Sequence, residues 1–196
     1  DLSGSMYGAK LTQTIQTAIS IAYAACHLKN FDVEISLRGT SSSNTQRHKE
    51  YPLLAYFFDS RKDSVKKLNQ LKYLTVVGMT PEGICLDEVG KRLPPVSHYN
   101  EVYLLNISDG LPNIGESAYN FTTAVDHTKK VVKKIRANKV GVLSYYIHDT
   151  WDKTNKSKET FTEMYGKDAK FIDVNNTSMI AKTINNLLLN NTLKVS

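Results

Sequence analysis

Asp1, Ser3 and Ser5 in the opening stretch DLSGSM place a carboxylate and two hydroxyls at alternate positions, with Gly4 between the hydroxyls. Two further oxygen donors stand at comparable places: Thr80 in VVGMTPEG, and Asp109 in NISDG. Together the five residues offer three hydroxyls and two carboxylates, with no sulfur and no imidazole. Hard oxygen donors select hard cations. Magnesium takes six oxygens at about 2.0–2.1 Å and keeps several waters. Five side chains, some acting through water, would leave one position free. Manganese or calcium could use the same donor types. Gly4 permits the tight turn that aims alternate donors the same way. Each residue also has a plainer reading. Ser3 and Ser5 could cap a helix that starts near Gly8. Asp109 could be a turn residue in an Asp-Gly pair, and Thr80 a loop hydroxyl before Pro81. Glu82 could accept a hydrogen bond behind the donors, or be a first-turn acid of the helix that follows.

Placing these donors on one edge requires a particular order of elements. Gly8 to Leu28 repeats apolar residues at helical spacing (Leu11, Ile15, Ala18, Ile19, Ala22). FDVEISLRG, 31–39, alternates as a half-buried strand, and YPLLAYFFDS, 51–60, reads as a second. The polar stretch 40–50 between them is a loop, and the two strands suggest an antiparallel pair at a sheet edge. A short helix is expected over 60–71, a Gly/Pro-marked loop over 76–83, and a helix over 84–93. EVYLLNISDG, 101–110, reads as a strand buried on both faces. Helix 117–138, strand 139–149, helix 157–165, strand 169–174 and helix 177–190 follow.

Strands alternating with helices predict an α/β fold: a doubly wound, mostly parallel sheet with one antiparallel edge strand and helices on both faces. In such sheets ligands bind beyond the carboxyl ends of the strands. DLSGSM, Thr80 and Asp109 fall in loops at that edge. An acid opening such a loop should follow a hydrophobic strand, and none precedes Asp1 in the sequence. The expectation is a single domain over 1–196, the C-terminal part of a longer protein, with its first strand outside the numbered chain.

Composition narrows the class further. The chain has 196 residues, 41% hydrophobic and 22% charged, enough for one core and too apolar for global disorder. The net charge of +6 could favour acidic partners. Its densest basic run, HTKKVVKKIRANK at 127–139, is interrupted by Val131, Val132 and Ile135 and reads as the solvated face of a helix, which argues against nucleic acid as the partner. Cys26 and Cys85 carry no pairing signal, so a reducing compartment is permitted. There is no run of 18 apolar residues and no signal-peptide pattern. His27, His48, His98, His127 and His148 show no metal-ligand spacing.

DLSGSM, a threonine in a G-x-T-P-E-G loop, and SDG after an apolar strand together resemble the von Willebrand factor A domain. Its metal-ion-dependent adhesion site follows Asp-x-Ser-x-Ser, a distant Thr and a distant Asp, and Asp1, Ser3, Ser5, Thr80 and Asp109 match that order. The element order agrees over nearly the whole chain. MTPEG, SDGLPN and MYGKDAKFIDV are further similar to the bacterial branch that includes the cobalt-chelatase T subunit and proteins working with MoxR-type AAA+ ATPases. The resemblance implies a cytoplasmic, non-catalytic adaptor. Mg2+, or Mn2+ or Ca2+ in its place, would sit on the five residues and accept a carboxylate from a partner protein. Met6, Tyr7, Glu82, Leu111, His148 and Trp151 are expected at the partner-binding rim.

Two rival classes keep their place. Metal-dependent phosphohydrolysis by Asp1 would usually need a second acid two residues on, where the chain has Ser3. A nucleophile elbow needs G-x-S-x-G, which Ser5 lacks, and there is no G-x-x-x-x-G-K-[ST] loop. A structural or assembly protein, such as a virion component, would use the same fold as a docking scaffold without a metal.

Overall fold

The computed structural model describes residues 1–42, 49–98, 100–115, 119–148, 155–180 and 182–184. It is an α/β structure. Two strands, β1 (Glu34–Ser42) and β2 (Glu50–Asp59), pair antiparallel from Glu34 opposite Asp59 to Ser42 opposite Glu50, with a register shift between Ile35 and Ser36. Three more, β3 (Tyr103–Ser108), β4 (Gly141–His148) and β5 (Ala169–Asp173), form a parallel sheet in the order β3-β4-β5. Residues 1 and 2 run between the two groups. The Leu2 amide donates to the Arg38 carbonyl at 2.8 Å, and the Asp1 nitrogen donates to the Ile107 carbonyl at 3.2 Å. The expected single sheet is therefore two strand groups joined through this short segment.

The helices are α1 (Ala9–Cys26), α2 (Glu82–Arg92), α3 (Phe121–Ala137) and α4 (Asn155–Tyr165), with further helical residues at 178–180 and 182–184. Alternation along the parallel strands sorts the core into two layers, as the pleat requires. Ile107, Tyr145, Ile147 and Ile172 point to one face, where Ile21 of α1, Ile180 and Ile184 pack. Leu104, Val142 and Tyr146 point to the other, against Leu86, Val125, Val132, Ile135 and Phe161 of α2, α3 and α4. Helices thus cover both faces. Burial of each large aliphatic side chain contributes about 1.5–3 kcal/mol. The basic run of α3 behaves as its spacing predicts, with Val131, Val132 and Ile135 buried beneath the lysines. The third cluster joins Leu2, Met6, Leu11, Ile15, Phe58, Leu68 and Leu71 under the antiparallel pair.

Several boundaries differ from the sequence-based expectation. The segment expected as a helix at 60–71 is a 3-10 helix, Val65–Tyr73, capped by Ser64. Its apolar residues Val65, Leu68 and Leu71 recur every three residues, the 3-10 period, and that spacing lays all three on cluster-facing positions. The strand expected at 31–39 starts at Glu34; the Val33 amide before it donates to the Ser60 hydroxyl oxygen at 2.9 Å. The loop expected at 40–50 is strand through Ser42 and again from Glu50; 43–48 lie outside the described residues. The strand at 101–110 shortens to Tyr103–Ser108, leaving Asp109 and Gly110 free of pairing at its carboxyl end, and Tyr103 is exposed rather than buried on both faces. Helix 177–190 is seen at 178–180 and 182–184, its remainder lying outside the described residues.

Candidate cation site

Three connections meet at the carboxyl edge of β3. The first carries Asp1, Ser3 and Ser5. Asp1 Oδ1 accepts the Ser3 amide at 2.9 Å, which bends the chain back on itself. A 3-10 turn, Gly4–Met6, follows. Neither serine caps a helix: no side-chain cap bond forms at Ser3, and Gly8 stands before α1 without one. Instead the two hydroxyls face each other at 3.1 Å, and Ser5 Oγ donates to Asp109 Oδ1 at 2.7 Å. The capping alternative is thereby overturned.

The second connection delivers Thr80, which is buried. Its backbone makes a two-way bridge with Asn113, N–H to carbonyl at 3.0 and 2.9 Å. A β-carbon on Gly110 would stand 2.9 Å from Thr80 Oγ1, so that hydroxyl lies against the residue following Asp109. Gly78, two residues earlier, packs against β1. It has φ +60°, and a β-carbon there would stand 2.1 Å from Thr40 Oγ1 on β1. Its carbonyl accepts the Gly4 amide at 2.8 Å, which ties the second connection to the first.

Asp109, on the third connection, has a side chain wholly shielded from solvent. Besides Ser5 it holds the Lys10 ammonium, whose Nζ lies 2.6 Å from Oδ2. Asp1, Ser3, Ser5 and Asp109 are therefore linked by direct hydrogen bonds, and Thr80 joins them through Gly110. Among the described residues no group of three or more His, Cys, Asp or Glu is placed to hold a metal. The candidate set is of another kind, with hydroxyls outnumbering carboxylates. Its chemistry fits a hard cation: every donor is oxygen, and the two acids carry the charge.

Two contributors were not among the expected site residues. Ser108 Oγ donates to Asp1 Oδ2 at 2.6 Å and accepts the Gly110 amide at 3.2 Å, fixing both acid-bearing connections at once. Its place directly before Asp109 at a strand end was the available signal. Lys10, at the second position of α1, had none beyond its proximity to DLSGSM.

Behind the donors lies a buried polar network. Arg38 donates through Nη1 to Asn106 Oδ1 at 2.6 Å and through Nη2 to Glu82 Oε1 at 3.2 Å, while Nη2 stands 3.5 Å from Asp1 Oδ2. Asn106 Nδ2 donates to the same Glu82 oxygen at 2.8 Å, and the Tyr165 hydroxyl donates to it as well. Burial, and then the Glu82 charge, push the Tyr165 hydroxyl well above its ordinary range, so it stays a donor. Burial also pushes the Cys85 thiol up to about 11, which keeps it protonated and unreactive.

The expected rim divides. Tyr7 is 80% exposed beside the serines. Leu111 and His148 are half-buried. Met6 and Glu82 are corrections: both are fully buried, Met6 in the cluster under the antiparallel pair and Glu82 in the Arg38 network, so neither can meet a partner. Glu82 opens α2, but its carboxylate is spent on Arg38, Asn106 and Tyr165. Trp151 lies outside the described residues. Met79, 36% exposed, was not expected there.

No protein-family profile and no curated protein matches this chain. Its fold is similar to that of the pilus adhesin SpaC from Lactobacillus rhamnosus GG. In one crystal form the TM-score is 0.58 at 17% identity, with 95% of this chain covering 29% of the adhesin. In the open conformation it is 0.58 at 18% identity, with 95% covering 28%. The chain thus spans less than a third of that protein. No helix among the described residues is long and apolar enough to cross a membrane.

Proposed function

We propose that this chain is a divalent-cation-dependent protein-binding module. Asp1, Ser3, Ser5, Thr80 and Asp109 would hold the ion, Mg2+ first and Mn2+ or Ca2+ as substitutes, and a carboxylate of a partner protein would complete the site. The observation that carries this reading is the convergence of the Ser3, Ser5 and Asp109 side chains in one hydrogen-bonded chain, with the Asp1 carboxylate on the Ser3 amide and Thr80 against Gly110. When bound, the ion would supply a Lewis-acidic position, shared among hydroxyl and carboxylate oxygens, that a partner's carboxylate can fill. The exposed Tyr7 and Met79 flank the site and give a partner apolar purchase. The role is non-catalytic, with no side chain assigned to acid–base or nucleophilic work.

The setting has two readings. MTPEG, SDGLPN and MYGKDAKFIDV support a cytoplasmic adaptor to a MoxR-type AAA+ ATPase or a chelatase-like complex. The similarity in fold to a pilus adhesin favours surface attachment instead. A metal-free assembly scaffold, such as a virion component, is the contrasting class. Thermal unfolding separates the cation readings from it. A ligand that binds only the folded chain raises Tm with its concentration. Tm of the wild type should climb with Mg2+ or Mn2+ and that of Asp109→Ala should not. A wild-type Tm indifferent to both ions would favour the scaffold.

A further inference from the structure

Lys10 stands where a cation is electrostatically disfavoured. It is the second residue of α1, and the N-terminal end of a helix carries partial positive charge. No acid occupies the first turn of that helix. The Lys10 side chain is only 12% exposed, so water does little to offset the repulsion. Asp109 engages it through a 2.6 Å contact to Oδ2, the other oxygen of the carboxylate that Ser5 engages. An ammonium is thus bound to one of the two acids in the candidate cation site.

We propose that Lys10 is the site's resident counter-cation, and that a divalent ion binds by displacing its ammonium from Asp109. The inference rests on the cation reading above. A dication on Asp109 and a shielded ammonium on the same carboxylate would repel strongly at such short range. The flexible four-carbon stem of a lysine can carry the charge outward, and a helix N-terminus supplies a further push. Lys10 then sets a threshold. Without the ion, Asp109 stays neutralised; with it, the freed ammonium lies at the rim, where a partner's acid would approach. Cation affinity is lowered, and only an ion of high charge density competes.

The test compares calorimetric titrations of Mn2+ into wild type, Lys10→Met and Lys10→Arg, each checked for fold by circular dichroism. Lys10→Met keeps the length of the stem and removes the charge. It should bind Mn2+ at least about tenfold more tightly than wild type, a difference of about 1.4 kcal/mol. Lys10→Arg, which keeps the charge, should stay near wild type. Equal or weaker binding by a folded Lys10→Met would overturn the proposal, since the lysine would then be neutral toward the ion or would assist it. Absence of Mn2+ binding by folded wild type and Lys10→Met alike would overturn the cation reading itself, and the displacement with it. Should Lys10→Met fail to fold, Lys10→Gln takes its place with the same expected direction.

Discussion

Ser5 and Asp109, 104 residues apart in sequence, are joined by a hydrogen bond of 2.7 Å from the serine hydroxyl to Oδ1. Asp109 is shielded from solvent, and Ser5 is the hydroxyl that reaches it. Ser5→Ala should leave the fold in place and weaken Mn2+ binding by roughly 10–100-fold, the loss typical when a metal site's ligands or their supports are removed. Parallel circular dichroism and calorimetry on the variant would check both halves of that expectation.

Ser108 does a different job. It touches Asp1 and Gly110 and fixes where the two acid-bearing connections sit. Ser108→Ala should lower cation affinity by roughly 10–100-fold without deleting a donor. Ser108→Thr should restore much of it by returning the hydroxyl. Recovery on adding back a hydroxyl is the readout that a purely structural defect would not give.

Tyr165→Phe removes one donor from the buried Glu82 carboxylate while keeping the ring against Phe161. A buried acceptor deprived of a partner costs about 1–3 kcal/mol. Glu82 Oε2 already has no hydrogen-bond partner among the described residues, so little slack remains. Urea unfolding of the variant should show that loss in the midpoint with an unchanged slope.

Away from the site, Asp59 gives a pH signature. The Arg61 guanidinium, at 2.8 Å through Nε and 2.9 Å through Nη2, holds the Asp59 carboxyl well below the usual carboxylate range, with the Arg61 amide and Lys62 adding to it. A depressed carboxyl stabilises the folded chain above its unfolded pKa, about 3.9, and that stabilisation is lost as pH falls toward the folded value. Wild type should therefore exceed Asp59→Asn in stability at pH 7, and the gap should begin to narrow as pH falls below about 4. The effect should be modest, because Arg61 is half exposed. Denaturant melts of both chains at pH 7 and pH 3 would measure it.

Periodicity made most of the fold legible. The 3.6-residue repeat of α1 and α3, the alternation in β1 and the apolar runs of β3 and β4 each follow from which side chains must leave water. It failed at 60–71, where three-residue spacing imitates a short α-helix. It also failed to show that residues 1–2 lie between β1 and β3, since backbone pairing across distant segments leaves no local pattern. In the site, oxygen donors at loop positions could be read because the residue types are few and chemically alike. The Arg38, Glu82, Asn106 and Tyr165 network could not. Its members come from four elements, and Asn106 hides within an otherwise apolar strand. Glu82 shows why burial resists local reading: a first-turn acid is ordinarily solvated, and only Arg38, arriving from β1, makes its burial tolerable. Met6 was misplaced for a related reason, being adjacent to two exposed-type residues yet turned inward by the 3-10 turn.

The most direct measurement is calorimetric titration of Mg2+, then Mn2+, into metal-stripped wild type and Asp109→Ala. The account predicts saturable binding of one ion per chain by the wild type, and none by an Asp109→Ala chain whose circular dichroism is unchanged. Equal binding by the two chains, or none by a folded wild type, would contradict it.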